Sequence, residues 1–376
     1  MTIAADPALE GDHIAEVTTK LEAVRAWLDR EGWSAALIES QSGFAWITGG
    51  GRSHISIGEA GGIASVLVTN DDAFLLTTNI ELGRLLDEEA EGLPLTGIER
   101  PWHEVVNGGD LVRDLADPAR TASDIGPSAP GLAALRNTLL PPEIERYRRL
   151  GADAAAAVET ACRAAAPGDA ELDVAGRVAH ECARRDILAL VNLVAADDRI
   201  ARYRHPLPTP TRLERTLLVA LTGRRHGLHA SLTRMVSFGA PDDELAARHD
   251  AVTRIDARLL LESRPGISLS DVFARGREQY AHEGHADQWR LHHQGGLTGY
   301  AGREVFATPT STHRLARDQA LAWNPSVTRV KSEDTVFVTD REPEVLTRTG
   351  DWPTRPVELP VGTIERPALL VEGEGT

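Results

Sequence analysis

The sequence predicts an α+β protein of two domains, an α/β domain over residues 1–135 and a larger one over 136–376. Three observations carry this. The chain of 376 residues is about twice the length of an ordinary domain. Its first third alternates helix-like and strand-like stretches, ending near Asp124. Beyond that, a unit of helix, Pro-Gly turn, helix and strands occurs twice. The 42% hydrophobic content is enough for packed cores, which excludes general disorder.

In the first domain, Glu16 to Glu31 places Val17, Leu21, Val24, Trp27 and Leu28 at helical spacing, with Gly32 as the stop. Ala35 to Ile38, Phe44 to Ile47 and Ile63 to Thr69 read as strands. Asn70-Asp71-Asp72 is turn chemistry leading into Ala73 to Leu76, a hairpin. Ile80 to Glu89 reads as a charged helix. The stretch from Asp124 to Pro142, with Pro127, Pro130 and a Pro141-Pro142 pair, reads as the boundary.

The second domain opens on a long Ala-rich helix, Ile144 to Ala166. Pro167-Gly168-Asp169 then leads into a helix ending near Arg185, and Pro265-Gly266-Ile267-Ser268 leads into another ending near Gly284. Asp169, Ser268 and Ser270 are the N-cap candidates. Strands follow each unit: Leu217 to Leu221 and Leu228 to Phe238, then Gln319 to Trp323 and Asp334 to Thr339. Two such halves imply a pseudo-two-fold, with a site at their seam.

Charge and cysteine content narrow the function classes. Forty Lys+Arg against 56 Asp+Glu give a net charge of −16, and no basic run offsets it. That excess speaks against nucleic acid and anionic membranes as partners. Cys162 and Cys182 are too few for a disulfide framework. With no basic-apolar leader at the N-terminus and no long apolar run, a cytoplasmic location is expected.

Several segments together resemble one superfamily: Glu143 to Gly151, the Pro-Gly-Asp-x-Glu turn at Pro167, and Ser231-Leu232-Thr233-Arg234. His292 to Glu304 and Lys331-Ser332-Glu333-Asp334-Thr335 complete the set. The second domain resembles the creatinase/aminopeptidase P/methionine aminopeptidase superfamily, M24, with its pita-bread fold. The first resembles the creatinase-type N-terminal domain. The resemblance covers about Ile14 to Leu369 and implies a homodimer paired through N-terminal domains. An exposed apolar patch over Ile47 to Ile57 would support that pairing.

Aminopeptidases of this superfamily bind two metal ions through two Asp, one His and two Glu. Hard ions prefer carboxylate oxygens, yet the matching positions here are Ala220, Ala230, His292, Asn324 and Glu333. Alanine cannot coordinate and a neutral amide coordinates weakly, so no metal site and no cofactor are expected. Asp197 and Asp198 read as a solvated loop rather than substitutes.

Creatinase, which cleaves a C–N bond with a histidine and no metal, is the nearer precedent. His205-Pro206 resembles the stretch carrying its catalytic histidine, and Tyr300-Ala301-Gly302-Arg303-Glu304 ends a loop similar to its own. Histidine can both give and take a proton near neutral pH. The expected function is a metal-independent hydrolase (or lyase) acting on a C–N bond of a small polar metabolite. His205, His292 and Glu333 are the expected catalytic residues. Asn324, Arg234, Arg303, Thr233, His293 and Tyr300 are expected to bind substrate.

Other readings stay open at this point. Glu333 also suits an ion pair with Lys331 or Arg329, and Arg234 and Arg303 suit internal pairing with Asp or Glu. Adjacent His292 and His293 would face opposite ways in a strand. His226 and His229 read as exposed turn residues. Thr233 and Gly299 stand where creatinase has a Glu and a His, which argues against creatine itself as substrate. Two alternatives to the C–N hydrolase are an inactive member used as a peptide- or protein-binding module and an Xaa-Pro-type metallopeptidase with a degenerate metal site.

Overall fold

The helix expected over Glu16–Glu31 starts earlier, at Pro7, and buries Val17, Leu21, Val24 and Leu28 on one face. In this computed structural model residues 7–105, 108–112 and 114–373 are described. The chain divides into two compact units, Met1–Ile144 and Glu145–Thr376. The division falls inside the helix Pro141–Arg163. That helix begins on the Pro pair assigned above to a loop, because the first turn needs no backbone N–H from those positions.

The first unit is a five-stranded sheet in the order Thr96–Arg100, Ala73–Thr78, Gly61–Thr69, Ala35–Ser40, Thr121–Ser123. Its central pairs are antiparallel and its two edge pairs parallel. Phe44–Ile47 is not a strand but the end of a helix, Gln41–Ile47. The Ser40 hydroxyl starts that helix by accepting from Gly43 N at 2.9 Å. Phe44, Trp46 and Ile47 are all buried, so a wholly apolar run held no period to separate the two states. The charged helix over Ile80–Glu89 shrinks to a turn, Leu82–Arg84, followed by a π-turn, Leu85–Glu89. Ile47 is buried, whereas Ile55 and Ile57 are 70% and 52% exposed. Among the described residues no helix is long and apolar enough to cross a membrane.

The internal duplication of the second unit shows in its backbone hydrogen bonds. Gly168 N donates to Leu213 O at 2.7 Å and Leu213 N to Asp169 O at 2.8 Å. Gly266 N donates to Leu315 O at 2.7 Å and Leu315 N to Ile267 O at 2.9 Å. Arg212 and Arg314 each reach the carbonyl of their glycine, at 2.6 and 2.8 Å. Both glycines have φ near +90° (+95° and +88°), a conformation other residues adopt at a cost. The two helices that follow are Glu171–Ala183 and Leu269–His282.

Each half then contributes a sheet. The first runs Leu370–Glu372, Leu228–Phe238, Thr216–Arg225, Leu188–Ala196. The second runs Val305–Phe306, Gly295–Thr298, Ala320–Trp323, Asp334–Phe337, Glu344–Val345. A bridge between Thr233 and Glu333 joins them, with Thr233 N donating to Glu333 O at 3.0 Å. Leu218, Met235, Leu297, Trp323 and helix residues Val252 and Ile255 form one buried cluster between the sheets and the helix Asp243–Glu262. Each such side chain contributes about 1.5–3 kcal/mol by leaving water. Asp197 is not solvated loop: its carboxylate accepts from Glu214 N, Arg215 N and Thr216 N at 2.8–2.9 Å. Asp198 is exposed, as expected.

Candidate active site

The seam between the two sheets collects the polar residues. His205 follows the short helix Asp198–Arg202, and His292 and His293 lead into the strand Gly295–Thr298. Because that pair stands just before the strand, alternation does not separate the rings. They stack at 4.4 Å, and both approach His205, at 4.8 and 6.0 Å between ring centres. The expectation that only one of them faces a common site is thereby corrected. Gly295 and Gly296 hold their strand in place: a Cβ on either would lie 2.1 Å from a neighbouring carbonyl oxygen, of Ala322 and Val305 respectively.

Hydrogen bonding fixes the tautomers. His292 Nδ1 lies 2.5 Å from the His293 carbonyl, which can only accept, so Nδ1 carries the proton. Neutral His292 then offers a lone pair at Nε2, 2.9 Å from His205 Nε2. His205 must donate across that contact, which leaves its Nδ1 as a free base. Burial, with the Lys331 charge adding to it, pushes His292 down to about 3. Burial and Arg303 push His293 down to about 4, and burial also lowers His205. All three rings are therefore neutral at pH 7.

Glu333 is 4% exposed and is engaged chiefly through one oxygen. Lys331 Nζ lies 2.7 Å from its Oε2, Thr233 Oγ1 donates to Oε2 at 2.8 Å, and Arg303 Nη2 stands 3.6 Å from Oε1. Burial alone would raise its pKa, but the Lys331 and Arg303 charges override this and hold it below the usual carboxylate value. The ion pair with Lys331 is as weighed from sequence, whereas Arg329 instead pairs with Asp242 and Glu244. A small cleft of about 20 Å³, partly open to solvent, lies beside these groups and is lined by Tyr203, Arg204, Leu218, His292, Ser326 and Lys331.

The structure separates other expected residues from this cluster. Arg234 is one residue from Thr233 and so faces the opposite side of the strand. There it is buried, bonding Asp334 at 3.1 Å and Thr347 O at 2.6 Å. Tyr300 is fully buried and does not line the pocket. His229 is buried, not exposed, with Nδ1 3.3 Å from Gly299 O; His226 is exposed. Asn324 is buried beside the site strand, its backbone N on Gln294 O at 3.1 Å and its side-chain Oδ1 without a hydrogen bond. Lys331 and Arg204 were missed as site residues, although Lys331 stands two residues before Glu333 and Arg204 directly before His205.

The donor set does not fit the two-metal centre of the superfamily. Ala220 and Ala230 are buried strand residues without donor atoms. By alternation the residue sharing the Thr233 face is Ser231, not Ala230, and its hydroxyl lies 2.9 Å from Thr222 Oγ1. Glu333 Oε2 is held by the Lys331 ammonium and the Thr233 hydroxyl, with the Arg303 guanidinium 3.6 Å from Oε1, and these two cations oppose a metal ion there. A different set is present: one ring nitrogen from each of His205, His292 and His293 lies within 4.8 Å of the others.

Residues 145–340 match metallopeptidase family M24, and residues 20–171 match the creatinase/prolidase N-terminal domain. An uncharacterized peptidase of Staphylococcus epidermidis is 22% identical over 225 residues, 57% of this chain and 63% of the relative. The chain thus spans under two thirds of that relative's length. The fold is similar to prolidase from Pyrococcus horikoshii OT3, with TM-score 0.73 and 18% identity over 88% of this chain and 98% of that one. It is also similar to the Xaa-Pro dipeptidase from Bacillus anthracis, with TM-score 0.72 and 17% identity over 94% and 99%.

Proposed function

This chain belongs to metallopeptidase family M24, and on that premise we propose that it hydrolyses a C–N bond of a small carboxylate-bearing metabolite with His205 as general acid/base and no catalytic metal ion. One observation carries the reading: His205 Nδ1 is left as a free base while its other nitrogen is anchored on His292. In the reaction, water attacks the carbon as His205 Nδ1 takes its proton. The resulting imidazolium then returns a proton to the leaving nitrogen as the C–N bond breaks. His292, held by its own bond to the His293 carbonyl, keeps the His205 ring in place and accepts its Nε2–H throughout.

The substrate class follows from charge. Lys331 and Arg303 share the single carboxylate of Glu333, so the cluster carries an excess positive charge, and Arg204 adds another beside the pocket. A substrate carboxylate would balance these, as cationic forks and ammoniums do elsewhere. Asn324, with its unused buried Oδ1, would supply an acceptor. The same reading includes a cytoplasmic homodimer, for which exposed Ile55 and Ile57 offer an apolar contact.

The test is turnover of ureido, amidino and N-acyl carboxylic acids by chelator-treated protein. His205→Ala is expected to lower turnover about 10²–10⁴-fold, with no change on chelation of the parent protein. Activity indifferent to His205→Ala overturns the mechanism, and activity lost on chelation overturns metal independence. Binding of these acids without any turnover would replace the enzyme by a binding module.

A further inference from the structure

We propose that His205, His292 and His293 form a binding site for a late first-row transition-metal ion, Zn²⁺ above all, and that its occupancy reversibly arrests the His205-dependent reaction. The second half rests on the reading of His205 as the base. The donor set here is all imidazole, unlike the carboxylate set of the superfamily, and imidazole suits Zn²⁺, Cu²⁺, Co²⁺ and Ni²⁺ while Mg²⁺, Ca²⁺ and Mn²⁺ prefer oxygen.

The geometry is close to what such an ion needs. Bonds of about 2.0–2.1 Å in a tetrahedral site space the nitrogens by roughly 3.4 Å. Here the closest pair is 2.9 Å apart and all three nitrogens lie within 4.8 Å. His293 therefore has to draw inward, and as a partly exposed ring set edge-on to Phe306 at 5.3 Å it can. His292 already shows the support a metal-bound histidine requires, with its second nitrogen donating to a backbone carbonyl. It would ligate through Nε2.

Coordination replaces the hydrogen bond between His205 and His292. His205 ligates through its free Nδ1 or, after tautomerisation, through Nε2. In either case the ion takes lone pairs that hold the base ready, and the ring can no longer shuttle a proton. The nearby Lys331 ammonium works against a cation, which keeps the site reversible.

Binding is read without turnover. The chelated protein is titrated with Zn²⁺ against a chromophoric chelator, and with Co²⁺ by visible absorption. One Zn²⁺ per chain is expected, with tetrahedral Co²⁺ bands and on the order of 100-fold weaker affinity in His205→Ala and in His293→Ala. Mn²⁺ and Mg²⁺ should not compete. Zinc affinity unchanged in both variants, or equal affinity for Mn²⁺, overturns the site. Turnover that rises when zinc binds overturns the arrest. Failure to bind zinc in a protein whose chelated form still depends on His205 sinks this inference and leaves the functional reading intact; zinc binding in a chelated protein indifferent to His205→Ala does the reverse.

Discussion

Thr233 and Arg234 are neighbours, as are Glu333 and Asp334, yet they serve two different electrostatic environments. On one face Thr233 and Glu333 meet Lys331 and Arg303, two cations against one carboxylate. On the other, Arg234 and Arg366 meet Asp334 and Asp256 at 3.1, 2.6 and 2.5 Å, with Glu159 a third carboxylate 3.5 Å from Arg234. Ser332 and Thr347 complete that second network by donating to the aspartates at 2.5 and 2.6 Å. That face, where carboxylates outnumber cations, is sealed, Arg366 and Asp256 being fully buried. The face with excess cations adjoins the pocket through Lys331. Strand alternation thus sorts one run of charged sequence into a structural brace and a site that awaits an anion.

The largest expected effect breaks the brace. Arg366→Met leaves Asp256 and Asp334 without their shared cation and should cost about 3–5 kcal/mol of unfolding free energy, measured by urea denaturation. Turnover per folded molecule should persist. A variant as stable as the parent would show that the buried network braces nothing.

Next comes the imbalance itself. Lys331→Met removes the excess charge, so KM for a carboxylate substrate should rise about tenfold, equivalent to roughly 1.4 kcal/mol, with kcat changed less. An unchanged KM would mean that the pocket does not select anions.

The smallest effect separates the faces by pH. The folded-state pKa of Glu333 is depressed, so its contribution to stability is fully present above the ordinary Glu value and is lost as pH falls through the depressed one. Glu333→Gln should therefore flatten the acid limb of the stability curve below about pH 4.5. Equal acid limbs in both proteins would remove Glu333 from the account of acid stability.

The fold was readable because its signals are periodic and repeated. The pair of Pro-Gly turns, the strand Leu228–Phe238 and the helix Leu269–His282 all stand where pattern places them, and the family match agrees. Phe44–Ile47 was misread because every residue in it is buried, which erases the helical period. The strand Leu188–Ala196 went unseen because a single turn residue, Asp186 at φ +54°, marks its start. At the site, His205, His292 and Glu333 were visible as residue types, as was a Lys331–Glu333 pair, but the approach of Arg303 and Thr233 to that carboxylate was not. That Thr233 turns toward Glu333 while Arg234 turns away depends on which face each strand buries. The approach of three histidines depends on His292 and His293 standing just before their strand, and no spacing rule records that.

The two glycines of the strand Gly295–Thr298 set the mechanics of this arrangement. With carbonyl oxygens where their Cβ atoms would be, the strand is clamped between its neighbours like a beam in a wall. His293 is cantilevered two residues beyond that clamp, a lever of about 7 Å. Small shifts in sheet spacing therefore reach the imidazoles almost undiminished, so a change at Gly295 or Gly296 would detune the chemistry without touching a single reacting atom.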